Sequence, residues 1–146
     1  MNLSSKEKIV AIMKESCLFA FLATSDGDQP QVRPVSPIIE DDMSIWMATS
    51  VNSRKVKQIK QNSKVCLTFV QYPSGDKAAT VTGDAEIVES VKEKRRVWTL
   101  AAYDLSEHFT NGPESEELCL LKINPKKIEW WESWDSGRKV YVPLQK

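Results

Sequence analysis

From Leu18 to Val88 the sequence repeats one pattern: a short run rich in β-branched, aromatic or aliphatic residues, then a cluster of turn formers. Leu18 to Thr24 is such a run, and Ser25-Asp26-Gly27-Asp28 ends it with hairpin chemistry. Gln31 to Ile39 follows, then the Glu40-Asp41-Asp42 turn, then Ser44 to Thr49. After a short helix come Val65 to Val70, the turn Tyr72-Pro73-Ser74-Gly75-Asp76, and Ala78 to Val88. Leu118 to Ile123 and Ile128 to Trp134 are read as two final strands. Strands this closely spaced and joined by hairpins predict a mainly β chain built as an antiparallel barrel, because parallel pairing needs long crossovers. With no GxGxxG in the sequence, no dinucleotide fingerprint supports a doubly wound sheet.

Helices flank this β framework. Ser4 or Ser5 starts one whose apolar residues Ile9, Val10, Ile12 and Met13 form a single face. Ser90 to Tyr103 predicts another, with Val91, Val97, Trp98, Ala101 and Leu105 inward and the KEKRR run outward. The third is Asn52 or Ser53 onward, with Val56 and Ile59 as its buried pair. Residues 1–146 contain no linker, repeat or low-complexity segment, so one domain is expected.

The third helix carries its charge in the wrong place. Arg54 and Lys55 occupy its first turn, where the macrodipole disfavours cations by a few tenths to about 1 kcal/mol each. Arg54/Lys57 and Lys57/Lys60 are like-charge neighbours three residues apart. Met43 to Gly75 holds five Lys or Arg and no acid, although the whole chain balances 20 against 20. Such an excess calls for water or for an anion. A phosphate suits it, because free helix N–H groups, Ser and Thr hydroxyls and an Arg fork all favour a dianion. Arg33, Thr49 with Ser50, and Ser53-Arg54-Lys55 are spaced so that two neighbouring strands and the following helix can bring them together.

The ordered pair QVRPVSP and MATSVNSRKVKQIKQN resembles the flavin-mononucleotide-binding split-barrel family, the group of pyridoxamine 5'-phosphate oxidase. GPESEELCLLKINPKKIEWWES is similar to its general stress protein branch, and the matching parts run from about Phe19 to Asp135. The resemblance implies an antiparallel six-stranded split β-barrel that forms a homodimer and holds flavin mononucleotide (FMN) by its phosphate. Arg33, Thr49, Ser53, Arg54 and Lys55 are the contacts it implies, with Ser50 beside them. The flavin ring would lie along the backbone of Pro34, Val35 and Ser36 and of Met47 to Thr49, between subunits. Trp130, Trp131 and Trp134 form an aromatic cluster expected in the core or at a dimer interface, and the sharper expectation puts Trp134 at the ring.

Within the resemblance there are departures. The oxidase carries Lys where this chain has Ile38 and Gln where it has Ala78, and it ends in an Arg and His segment that Gly137-Arg138-Lys139 does not match. Those changes point away from pyridoxamine phosphate oxidation itself and leave the phosphate residues in place. The expected function is an FMN-dependent oxidoreductase acting on a small substrate, with NAD(P)H as a candidate donor. The alternatives are a non-catalytic flavin carrier or scavenger, and a relative that uses deazaflavin or haem.

Other chemistry is sparse. His108 is the sole histidine and has neither triad partners nor metal-ligand spacing, so a surface or helix-end role is expected. A formal net charge of zero argues against nucleic-acid binding. No apolar run approaches the ~20 residues of a membrane span, and the amphipathic N-terminus is unlike a signal peptide, so a cytoplasmic protein is expected. Cys17, Cys66 and Cys119 are read as buried free thiols rather than as a disulfide or metal framework.

Overall fold

The computed structural model describes residues 2–144. Helix α1 (Ser5–Glu15) opens with a capping box: the Ser4 hydroxyl accepts from Glu7 N, and the Glu7 carboxylate accepts from Ser4 N. Ile9, Val10, Ile12 and Met13 of α1 are buried in the main core. Around that core curls an antiparallel sheet ordered β2-β1-β5-β6-β7-β4-β3. Its strands are β1 (Ala20–Asp26), β2 (Gln29–Val35), β3 (Ile38–Ile39), β4 (Ile45–Ser50), β5 (Lys64–Val70), β6 (Ala78–Val88) and β7 (Leu118–Trp131). A short β8 (Lys139–Tyr141) pairs with the second half of β7.

The mainly β, split-barrel expectation holds, with eight strands rather than six. Two of the differences in strand boundaries have local causes. The segment read as one strand from Gln31 to Ile39 breaks at Ser36-Pro37, where proline cannot donate to a ladder. Conversely, the two final strands are one: β7 runs through Asn124-Pro125 with a bulge at Lys126, which has no partner because Thr82 pairs with Lys127 and the next residue, Gly83, pairs with Pro125.

Helix α2 (Arg54–Gln61) connects β4 to β5, and α3 (Val91–Trp98) follows β6. The latter is shorter than the predicted Ser90 to Tyr103, since the chain tightens after Thr99 and resumes as a 3-10 turn at Leu105–Glu107. Val97, Trp98, Ala101 and Leu105 face inward as expected, and two residues at the start of the helix differ. Val91 is exposed and Lys94 buried, while Val97 packs with Ile38, Trp46, Leu105 and Leu120 in a second cluster on the outside of β3, β4 and β7. Glu40 pins that helix in place: it accepts from Trp46 Nε1 at 2.7 Å and pairs with Arg96.

Among the described residues no helix is long and apolar enough to cross a membrane. All three cysteines are free; Cys119 is buried, whereas Cys17 and Cys66 are only partly so.

Candidate anion and cofactor site

The site grows from the junction of β4 and α2. Thr49 and Ser50 end β4, held in register by Cys119 and Leu118 of β7. Ser50 then turns the chain: its carbonyl accepts from Ser53 N, and its hydroxyl accepts from Asn52 N at 3.2 Å. Ser53 caps α2, its Oγ accepting from Val56 N. Buried Thr49 donates to the same Ser53 Oγ at 3.5 Å. Among the described residues the N–H groups of Arg54 and Lys55 carry no hydrogen bond, as a helix start leaves them. Two free donors therefore sit at a partly positive helix end.

Arg33 arrives from β2. It sits opposite Leu22 on β1, and its guanidinium donates to Leu22 O at 3.2 Å, Thr24 Oγ1 at 2.8 Å and Gln58 Oε1 at 2.8 Å. Gln58 belongs to α2, so this arginine ties the sheet to the helix. Burial, and after it the charge of Arg54, pulls the Arg33 guanidinium below its ordinary pKa. Burial also lowers Lys55, followed by the charge of Arg33, with Cys119 acting in the opposite sense. Arg33 thus feels the charge of Arg54, and Lys55 that of Arg33.

No carboxylate answers them. Among the described residues the ion pairs lie elsewhere and include none of Arg33, Arg54, Lys55 or Lys57. Asp26 shares a shallow hollow of about 220 Å³ with Arg54, Lys57, Gln58 and Gln61, beyond ion-pair reach of either cation. Arg54 and Lys55 at a helix start with two free N–H groups, and Arg33 tied to the same helix through Gln58, form a place where a dianion is favoured.

Of the other residues expected here, Pro34 is exposed and Val35 half-buried on β2. The Ser36 carbonyl accepts from the Tyr103 hydroxyl at 3.2 Å. Trp134 is not brought to the cluster: it is 70% exposed beyond the Trp131 end of β7, whereas the opposite end of that strand, at Leu118 and Cys119, is the one that pairs with Ser50 and Thr49. It leans on Trp131 with ring centroids 5.6 Å apart, while Trp130 is the core residue of the three. Ile38, at the position where the oxidase carries Lys, is 2% exposed and packed with Trp46 and Leu120. His108 stands exposed at the end of its 3-10 turn.

Thr24 and Gln58 were missed by reading the sequence. The available signals were weak: Thr24 shares the inward parity of Ala20 and Leu22, and Gln58 lies in the stripe of Val56 and Ile59.

Comparison with known proteins bears on the fold and the family. The pyridoxamine 5'-phosphate oxidase family profile matches residues 5–132. Pyridoxine/pyridoxamine 5'-phosphate oxidase of Shewanella frigidimarina is 31% identical over 99 residues, which are 67% of this chain and 41% of that protein. The chain therefore spans less than half the length of that relative. General Stress Protein 26 from Bacillus anthracis superposes with a TM-score of 0.78 at 24% identity, covering 94% of this chain and 98% of that one. A heme binding protein from Mycobacterium smegmatis superposes at 0.79 with 13% identity, covering 97% and 59%. At these identities the two structures speak for the fold alone, but the profile covers most of the chain: this protein belongs to the pyridoxamine 5'-phosphate oxidase family.

Proposed function

We propose that the protein binds FMN, with the phosphate on Arg33, Ser53, Arg54, Lys55 and the free N–H groups of α2, and works as a flavin-dependent oxidoreductase on a small substrate. The observation that carries this is that Arg33 is tied through Gln58 to the helix that starts with Arg54 and Lys55, and that among the described residues no carboxylate pairs with any of the three. A bound flavin supplies two-electron redox chemistry, which suits a chain whose own residues offer no nucleophile-base pair and, among those described, no metal-binding cluster. The chain's part is to hold the phosphate and to lay the ring along Pro34 to Ser36 and Met47 to Thr49. A haem ligated through histidine would have only exposed His108 to use, which favours flavin.

In this reading the protein is a homodimer. Phe21 on β1 lies opposite Pro34 on one side and Thr68 on the other, and Val32 lies opposite Ala23, so these residues share the outer face of the sheet. Phe21 and Val32 are exposed there, with Phe19 stacked on Tyr72 nearby at 4.6 Å. A sheet face this apolar fits a second copy of the same surface. Trp131 and Trp134 belong to the interface in this assembly, where they can meet the partner's flavin.

The test is optical. Purified protein should absorb in the flavin region and bind FMN far more tightly than riboflavin, which lacks the phosphate. Oxidation of NAD(P)H by the loaded protein separates an oxidoreductase from a carrier. A Soret band in place of the flavin spectrum, or equal affinity for FMN and riboflavin, overturns the assignment.

A further inference from the structure

Arg33 is gripped by the protein on one side only. Its Nη1 donates to Leu22 O and to Thr24 Oγ1, and its Nη2 donates to Gln58 Oε1. Thr24 Oγ1 itself donates to Gln58 Oε1 at 2.6 Å. Thr24 and Gln58 are 3% and 8% exposed, so two buried polar side chains bracket the guanidinium.

A guanidinium presents five N–H donors in a plane. The acceptors Thr24 Oγ1 and Gln58 Oε1 touch each other, so they straddle Nη1 and Nη2 and occupy the end edge of the plane. The second donor of Nη1, on the Cδ side, goes to the Leu22 carbonyl. What remains is Nε–H and the other N–H of Nη2. These two lie side by side on a single edge, the fork that takes a phosphate or carboxylate in bidentate fashion.

We infer that Gln58 and Thr24 are positioning residues that fix Arg33 with its Nε–Nη2 edge open for the FMN phosphate; this rests on the flavin reading given above. The chemistry of Gln58 matters as much as its place. Its amide oxygen accepts from both Arg33 and Thr24 without adding charge, so the guanidinium is oriented but not neutralised. A carboxylate at the same position would accept the same two bonds and cancel the charge the phosphate needs. Gln58 also sits on the helix that presents Arg54 and Lys55, so one side chain sets the distance between the two halves of the site.

The experiment measures FMN and riboflavin affinities by fluorescence quenching for Gln58→Glu, Gln58→Leu, Thr24→Val, Arg33→Ala and the double variant Gln58→Glu/Arg33→Ala. Gln58→Glu should weaken FMN about tenfold or more, the scale of one charge-assisted bond, and leave riboflavin unchanged. Its thermal midpoint should match or exceed that of the wild type, because a new ion pair replaces a neutral contact. In the Arg33→Ala background the same change should add no further loss of that size, since the fork it acts through is gone. Thr24→Val should lower FMN affinity several-fold with riboflavin again unchanged, which keeps the test open should a Gln58 variant fold poorly. If Arg33→Ala lowers FMN selectively while Gln58→Glu and Thr24→Val do not, the positioning role is wrong and the phosphate site stands. If Arg33→Ala leaves the FMN to riboflavin ratio unchanged, the site reading and this inference both fall.

Discussion

Gly83 on β6 and Asn124 on β7 approach so closely at the bulge that a Cβ on Gly83 would lie inside contact distance of the Asn124 carbonyl oxygen and 3.0 Å from its carbonyl carbon. Pro125 Cα would stand 3.1 Å away. All three obstacles are backbone and cannot rotate aside. Gly83→Ala should therefore cost about 2 to 4 kcal/mol, in the range of overpacking combined with backbone displacement. Urea unfolding of the two proteins at matched m-value checks this, and a loss under 1 kcal/mol would show that the ladder shifts freely.

Arg54→Ala tests the anion site from the helix side. Each charge-assisted bond to a phosphate contributes about 1.5 to 3 kcal/mol, so FMN affinity should fall by one to two orders of magnitude. Riboflavin affinity should hold, and the unliganded fold should keep or slightly raise its melting temperature, since a cation leaves the positive end of a helix. Titration with both ligands beside a thermal melt reads all three effects.

Lys55 gives the site a pH signature. Its folded-state pKa is depressed by burial and then by Arg33, so the unfolded chain holds this proton more tightly than the native one. Stability of the unliganded protein should accordingly rise from the depressed pKa up to about the ordinary lysine value of 10.5. Tyr103, Cys17 and Cys119 have raised values and act in the opposite direction as pH climbs. The difference between wild type and Lys55→Met isolates the lysine: the variant should be the more stable of the two at pH 7, and its advantage should shrink toward pH 10. A gap independent of pH would refute this.

Phe21→Glu probes the outer face of the sheet. A charge at the centre of a self-paired apolar surface should break the dimer while leaving the chain folded, because Phe21 is 42% exposed within one subunit. Light scattering at micromolar concentration should give twice 16.6 kDa for the wild type and one subunit mass for the variant. A wild-type mass of one subunit would remove the dimer.

Much of this arrangement could be read from residue order. The alternation of β-rich runs with turn clusters gave the sheet, and misplaced cations at Arg54 and Lys55 marked a helix start that Ser53 indeed caps. The rest depended on information that no local pattern carries. Pro125 looks like a strand break until Gly83, forty-two positions earlier, is seen to yield to it. Gln58, in a helix full of lysines, looks solvated; only the fold turns its amide inward to Arg33. Lys94 is buried against expectation because it lies one turn before Val97, on the face of α3 that packs on the second cluster. Trp134 follows the strand that pairs with Thr49 and Ser50, but it lies beyond the opposite end of that long strand, a separation no local pattern records.

The pairing of β4 with β7 has a temporal consequence. Ser50, at the mouth of the anion site, finds its ladder partner in Leu118, 68 positions further along the chain. During synthesis β1, β2, β5 and β6 can pair as soon as they emerge, but β4 has only the two-residue β3 beside it, and its Thr49-Ser50 end no partner, until β7 has left the ribosome. Ligand capture is then a late event, and a ligand added to refolding chains should accelerate none of the early steps while locking the last one.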